Sequence, residues 1–106
     1  MDAVFQALAH EARRDMLRRL AGRELTVGEL AEPLEMSLAA ASRHIQVLEH
    51  AGLLRRTVQG RRHLCRLNPD PLASAAEWLG FYERFWTERL NALDTLLAEH
   101  PPLDQE

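Results

Sequence analysis

LTVGELAEPLEMSLAAASRHIQVLEHAGLLRRTVQGRRHLCRL, residues 25–67, is the stretch whose reading decides the fold. Thr26 and Glu29 stand three apart, the spacing of a capping box that opens a helix. Val27, Leu30, Ala31 and Leu34 supply that helix with a buried stripe over about residues 27–34. Pro33 removes a backbone donor and disfavours helix at Glu32, so the helix should end early or tighten. Ser37 is a good N-cap for a second helix over about 38–51, and Gly52 closes it. On this helix Ala41, Ile45 and Leu48 share one face, with His44 beside them. Ala39, Ser42, Arg43, Gln46 and His50 lie on the other. Leu53 to Val58 and Arg62 to Leu67 read as two strands folded over a turn at Gln59-Gly60. Two short helices, a tight turn and a basic hairpin, in that order, make a winged helix-turn-helix, a shape that fits duplex DNA.

Working outward, Phe5, Leu8, Ala12, Met16 and Leu20 recur at helical spacing and predict a helix or helix pair over about 2–21, breaking near His10. Gly22 falls where a C-terminal cap belongs, and Leu25 suits a short strand that joins the wing. Beyond the wing, Asn68-Pro69-Asp70-Pro71 starts a long helix over about 72–99, which His100-Pro101-Pro102 ends. This helix carries two apolar stripes. One holds Ala75, Leu79, Tyr82, Trp86, Leu90, Leu93 and Leu97; the other holds Trp78, Phe81, Phe85, Ala92 and Leu96. A helix apolar over most of its circumference needs burial on more than one side. The rest of the domain can cover one side, and a second copy of the chain is the simplest cover for the other. The expected interface residues are Leu79, Tyr82, Trp86, Leu90, Leu93 and Leu97. The fold class is therefore mainly α with a small β-hairpin wing (α+β). It comprises five or so helices in a single domain over 1–100, a long C-terminal dimerisation helix, and a frayed tail at 101–106.

Composition narrows the function. A chain of 106 residues builds one small core. No stretch approaches the roughly 20 apolar residues that span a bilayer, and the acidic, amphipathic N-terminus is no signal peptide. A single cysteine, Cys65, rules out an internal disulfide and fits a reducing cytoplasm. The net charge of −3 looks wrong for a DNA partner, but the charge is unevenly placed. Residues 1–68 carry 11 arginines against 8 acidic residues, and residues 69–106 carry 2 against 8. Phosphate binding follows the local field, not the sum. No nucleophile–base set, phosphate loop or carboxylate pair is present, so the chain is not read as an enzyme.

Ser37, Ala39, Ala40, Ser42, Arg43 and Gln46 are the expected DNA contacts of the second motif helix. Small residues let the helix approach closely, and Ser, Arg and Gln can read base edges. Arg61 and Arg62 at the wing tip suit phosphates or the minor groove. The bland alternatives are a solvated helix face and an ordinary polar hairpin. His10, His44, His50, His63 and His100 include no ligand pair at i,i+4, so no metal or cofactor is expected, and His44 is read as a packed, hydrogen-bonded residue. Cys65 alternates inward with Leu67 and is read as a buried small hydrophobe.

At this point the chain resembles the ArsR family of bacterial winged-helix repressors. The blocks that carry the resemblance are Phe5 to Arg14, Glu24 to Ala31, Ser42 to Leu48 with Ala51-Gly52-Leu53-Leu54, and Gly60-Arg61-Arg62 followed by Arg66-Leu67. Together they cover about residues 3–97. The resemblance implies a homodimer whose terminal helices pair and whose recognition helices enter successive major grooves of a palindromic operator. It also implies repression of its own or a neighbouring operon. Metal-sensing relatives carry two cysteines at the positions of Thr26 and Gly28, and this chain has neither. One cysteine in a wing strand builds no thiolate site for a soft metal. Relatives often have Gly where this chain has Glu35, and a positive φ there would store on the order of 1 kcal/mol. Two other readings stay open. One is a winged-helix interaction module without DNA binding; the other is a repressor answering a ligand or metal at an unrecognised effector site.

Overall fold

Asp2–Leu8 forms α1 and Glu11–Arg19 forms α2 in a computed structural model that describes residues 1–99. The expected tail at 101–106 and His100 lie outside the described residues. The expected break falls at Ala9-His10. His10 is extended, and its Nδ1 accepts from the Ala12 N–H at 3.1 Å, which caps α2. Arg13 and Arg14 reach back to the end of α1. Arg13 Nε donates to Ala7 O at 2.7 Å and Arg14 Nη1 to Leu8 O at 2.8 Å, filling carbonyls that a helix end leaves unpaired.

Leu25–Thr26 is the short strand β1, and α3 spans Val27–Ala31. Both halves of the Thr26–Glu29 capping box are made, at 2.9 and 3.1 Å. The α-helix ends at Ala31, and Glu32–Leu34 tightens into a 3₁₀ turn around Pro33. Glu35 then sits in the left-handed region at φ 51° and ψ 35°. This reverses the chain into α4, Leu38–His50, capped by the Ser37 hydroxyl. Gly52 at φ +78° ends α4. The Leu53 N–H bonds Leu48 O at 2.9 Å and the Gly52 N–H bonds Glu49 O at 3.0 Å, both bonds of a Schellman cap.

The wing is β2, Leu54–Gln59, and β3, Arg62–Leu67, with β1 on the other edge of β3 in the order β1-β3-β2, all antiparallel. Two expected boundaries move. Leu53 belongs to the cap of α4, so β2 starts one residue later. Gln59 pairs with Arg62, so the two-residue loop is Gly60-Arg61. Gly60 has φ +63°, as the first loop position of such a hairpin requires. The long helix α5 spans Asp70–Glu99, two residues longer at its start than expected. The Ala73 N–H bonds Pro69 O, so the helical ladder begins before Pro71, whose missing N–H has no role in a first turn.

Residues 1–75 form one compact unit. Its core gathers Met16, Leu20, Leu30, Ile45, Leu48, Leu53, Leu54 and Cys65, each essentially sealed from solvent. The second unit begins at Ala76. Its described part is the remainder of α5, along which rings meet edge to face: Trp78 with Tyr82 at 5.2 Å and Phe81 with Tyr82 at 5.0 Å.

Candidate nucleic-acid interface

The side chains that turn α4 outward do so because the opposite face is spent in the core. Ala41, Ile45 and Leu48 are buried, which leaves Ser37, Ala39, Arg43 and Gln46 exposed and Ala40 and Ser42 half-buried. The Ser37 oxygen accepts from the Ala40 N–H at 3.1 Å, so its hydroxyl proton remains free to donate. Arg43 and Gln46 make no side-chain hydrogen bond or ion pair among the described residues. His44, as expected, is half-buried and bonded: Arg13 Nη1 lies 3.2 Å from its Nδ1, and its ring tilts against that of His10 at 4.4 Å. Burial holds His44 below its usual pKa, and the neighbouring His10 and Arg13 add to the shift.

One ion pair joins the wing to α4, and a second bond ties together the residues that follow each. Arg56 on β2 pairs with Glu49 on α4 at 3.1 Å, and Asn68 Nδ2 donates to Gly52 O at 2.7 Å. These bonds join the base of the wing to the C-terminal end of the recognition helix. Between wing and helix opens a groove of about 580 Å³ lined by Thr26, Val27, Gly28, Leu38, Ser42, Arg56, Arg61, Arg62 and His63. The groove therefore unites Ser42 with Arg61 and Arg62 from the expected set. Ser37, the cap of α4, and Ala39, Ala40, Arg43 and Gln46 on α4 lie outside its lining. Arg62 also lies close enough to help hold the Glu29 carboxyl below its usual range, after the larger effects of the Thr26 backbone and hydroxyl bonds.

Sequence reasoning missed Thr26, Val27, Gly28, Leu38, His63 and Arg56 as parts of this surface. Strand alternation was the available signal for the last two, since Arg56 pairs with Cys65 and His63 lies two residues from it. All eleven arginines of residues 1–68 contribute to the local field, but not all are available for direct contact. Arg13, Arg14, Arg19 and Arg23 donate to backbone carbonyls within the domain, and Arg56 is tied to Glu49. Arg55 and Arg66 oppose each other across β2 and β3, on the sheet face away from Cys65. Arg43, Arg61 and Arg62 are the cations left for a ligand at the α4–wing surface. Cys65 is buried as expected, and burial raises its thiol pKa. Among the described residues no cluster of three His, Cys, Asp or Glu side chains is placed to hold a metal ion.

A capped recognition helix with a polar outer face, beside a wing with free arginines at its tip, defines a DNA-binding module of the winged helix-turn-helix class. Comparison with known proteins agrees. A helix-turn-helix domain family matches residues 8–57. The chain is 40% identical over 96 residues to the HTH-type transcriptional regulator Rv2034 of Mycobacterium tuberculosis, covering 91% of this chain and 87% of that one. It is 29% identical over 79 residues to the transcriptional repressor SdpR of Bacillus subtilis, covering 74% and 88% respectively. Among solved structures it superposes on an ArsR family transcriptional regulator, RHA00566, with a TM-score of 0.74 and 37% identity over 81% of this chain and 89% of that one. An ArsR-like transcriptional regulator from Rhodococcus sp. RHA1 gives a TM-score of 0.72 at 28% identity, covering 92% and 90%. The chain belongs to the ArsR family of winged helix-turn-helix proteins and is a DNA-binding transcriptional regulator, not an enzyme.

Proposed function

We propose that the chain acts as a homodimeric repressor on a palindromic operator of its own or a neighbouring operon. The single observation that carries the dimer is the apolar surface of α5. Leu79, Tyr82, Trp86, Leu90, Leu93 and Leu97 are all about half exposed or more in the single chain, with Trp86 at 67%. Aromatic side chains bury about 150–250 Å² each, so a helix this rich in them is costly to leave in water. A second copy supplies an identical apolar helix. Pairing would also set two recognition helices on one duplex, with half-sites about one turn, roughly 34–36 Å, apart.

On that duplex Ser37, Ala39, Ala40, Ser42, Arg43 and Gln46 face base edges and sugar-phosphate in the major groove. Arg61 and Arg62 take phosphates or the adjacent minor groove. The repressor assignment follows the relative from Bacillus subtilis that is named as one. No described helix is long and apolar enough to cross a membrane, and an operator-binding protein works in the cytoplasm beside the chromosome.

The test couples assembly to binding. Trp86→Ala with Leu90→Ala should raise the dimer dissociation constant in sedimentation and the operator constant in footprint titration together. A monomeric variant that bound its operator at full affinity would overturn the dimer reading. Selection from random duplexes that returned only asymmetric half-sites would overturn the palindrome.

A further inference from the structure

Leu38 is the most exposed large apolar side chain described within residues 1–75, at 63% of its full surface. A single exposed leucine on a protein surface is ordinary. This one occupies the first position of the recognition helix and has no place in the core. The Ser37 cap fixes the helical turn that presents it. Ala39 beside it adds little bulk, so the backbone there can come close to a ligand. Four residues on, Ser42 shares its side of the helix, and both line the groove that faces the wing. Val27, half-buried at the start of α3, lines the same groove. The surface thus has an apolar part made of Leu38 and Val27, with Arg61 and Arg62 at the wing side.

Duplex DNA matches that arrangement in one way. Its phosphates answer the arginines, and the apolar group it displays in the major groove is the 5-methyl of thymine. We propose that Leu38, in the groove that Val27 also lines, reads a thymine methyl in each half-site and so selects thymine at that position. The proposal rests on the DNA-binding reading of the α4 face and adds a residue and a base to it. Charged or hydrogen-bonding contacts elsewhere on α4 set other positions. Leu38 discriminates only by burial, so it distinguishes thymine from a base that lacks the methyl group.

The test alters the DNA, which leaves the protein fold untouched. An operator selected from random duplexes is remade with each thymine of a half-site, and its symmetry mate, replaced in turn by deoxyuridine. Binding of the full chain is followed by fluorescence anisotropy at one salt concentration. One thymine should respond, its replacement weakening binding about fourfold per half-site, the worth of burying a single methyl group. Leu38→Ala, at an exposed position, should bind the thymine and deoxyuridine operators alike. Arg61→Ala should bind both more weakly yet keep the difference between them. Deoxyuridine that is harmless at every position, or a Leu38→Ala variant that keeps the wild-type loss, would overturn the proposal while leaving operator binding intact. A wild-type chain with no salt-sensitive affinity for any duplex would overturn the DNA-binding reading beneath it.

Discussion

Glu35→Gly should stabilise this protein, against the usual direction of a glycine substitution. Glu35 is the one non-glycine residue with positive φ among those described, at φ 51° and ψ 35° in the turn between α3 and α4. The left-handed region costs an L-residue about 1–2 kcal/mol, because its Cβ crowds the following carbonyl. Glycine removes that cost but loses more freedom on folding, which takes back about 0.5–1 kcal/mol. The Glu35 side chain is exposed and makes no hydrogen bond or ion pair among the described residues, so its removal should cost little else. The backbone bond from the Glu35 N–H to Glu32 O, at 3.3 Å, is available to either residue. The balance is a gain of about 0.5–1 kcal/mol, or a rise in Tm of about 2–8 °C for a domain of this size. Thermal melts followed by far-UV circular dichroism would measure it. Glu35→Ala is the control, since alanine keeps the Cβ and should leave Tm nearly unchanged. A glycine variant no more stable than the alanine variant would refute the claim that Cβ strain is stored in this turn.

Three further outcomes follow from local geometry. His44 is held below its ordinary value near 6.5, first by burial and then by His10 and Arg13. The unfolded chain therefore binds a proton there more readily, so stability is complete above about pH 6.5 and declines as the pH falls toward the depressed folded value. Melts across the weakly acidic range should show this decline, and His44→Gln should flatten it; an unchanged slope would assign the dependence to other groups. Cys65 is buried and its thiol pKa is raised by burial, so iodoacetamide at neutral pH should label it promptly only after denaturation. Rapid native labelling read by mass spectrometry would contradict that burial. Thr26→Ala breaks a complete capping box and should cost about 1 kcal/mol, seen as a lower midpoint in urea with little change in slope.

The features legible in the chain are those whose partners lie within a few residues. The Thr26–Glu29 box, the Ser37 cap, the tightening at Pro33 and the stop at Gly52 each depend on a local backbone requirement, whereas the positive φ of Glu35 was suggested only by the resemblance to relatives with glycine there. Periodicity likewise placed Ala41, Ile45 and Leu48 inward and so turned Arg43 and Gln46 outward. The errors at the wing arose where one element's end competes with the next. Leu53 could join strand or cap, and its bond to Leu48 decided for the cap. The hairpin loop moved by one residue because the pairing of Leu54 with Leu67 carries through to Gln59 with Arg62.

The sequence by itself determined the order of elements, the winged helix-turn-helix class and the outward face of α4, because spacing and capping chemistry act over one or two turns. Only the tertiary structure decided which arginines remain for DNA, since Arg13 reaches His44 and Arg56 reaches Glu49 across elements that spacing cannot relate. It likewise decided that Leu38 shares a groove with the wing arginines. A side chain's charge or apolarity is written in the chain, but its availability depends on which distant donors, acceptors and surfaces folding brings beside it.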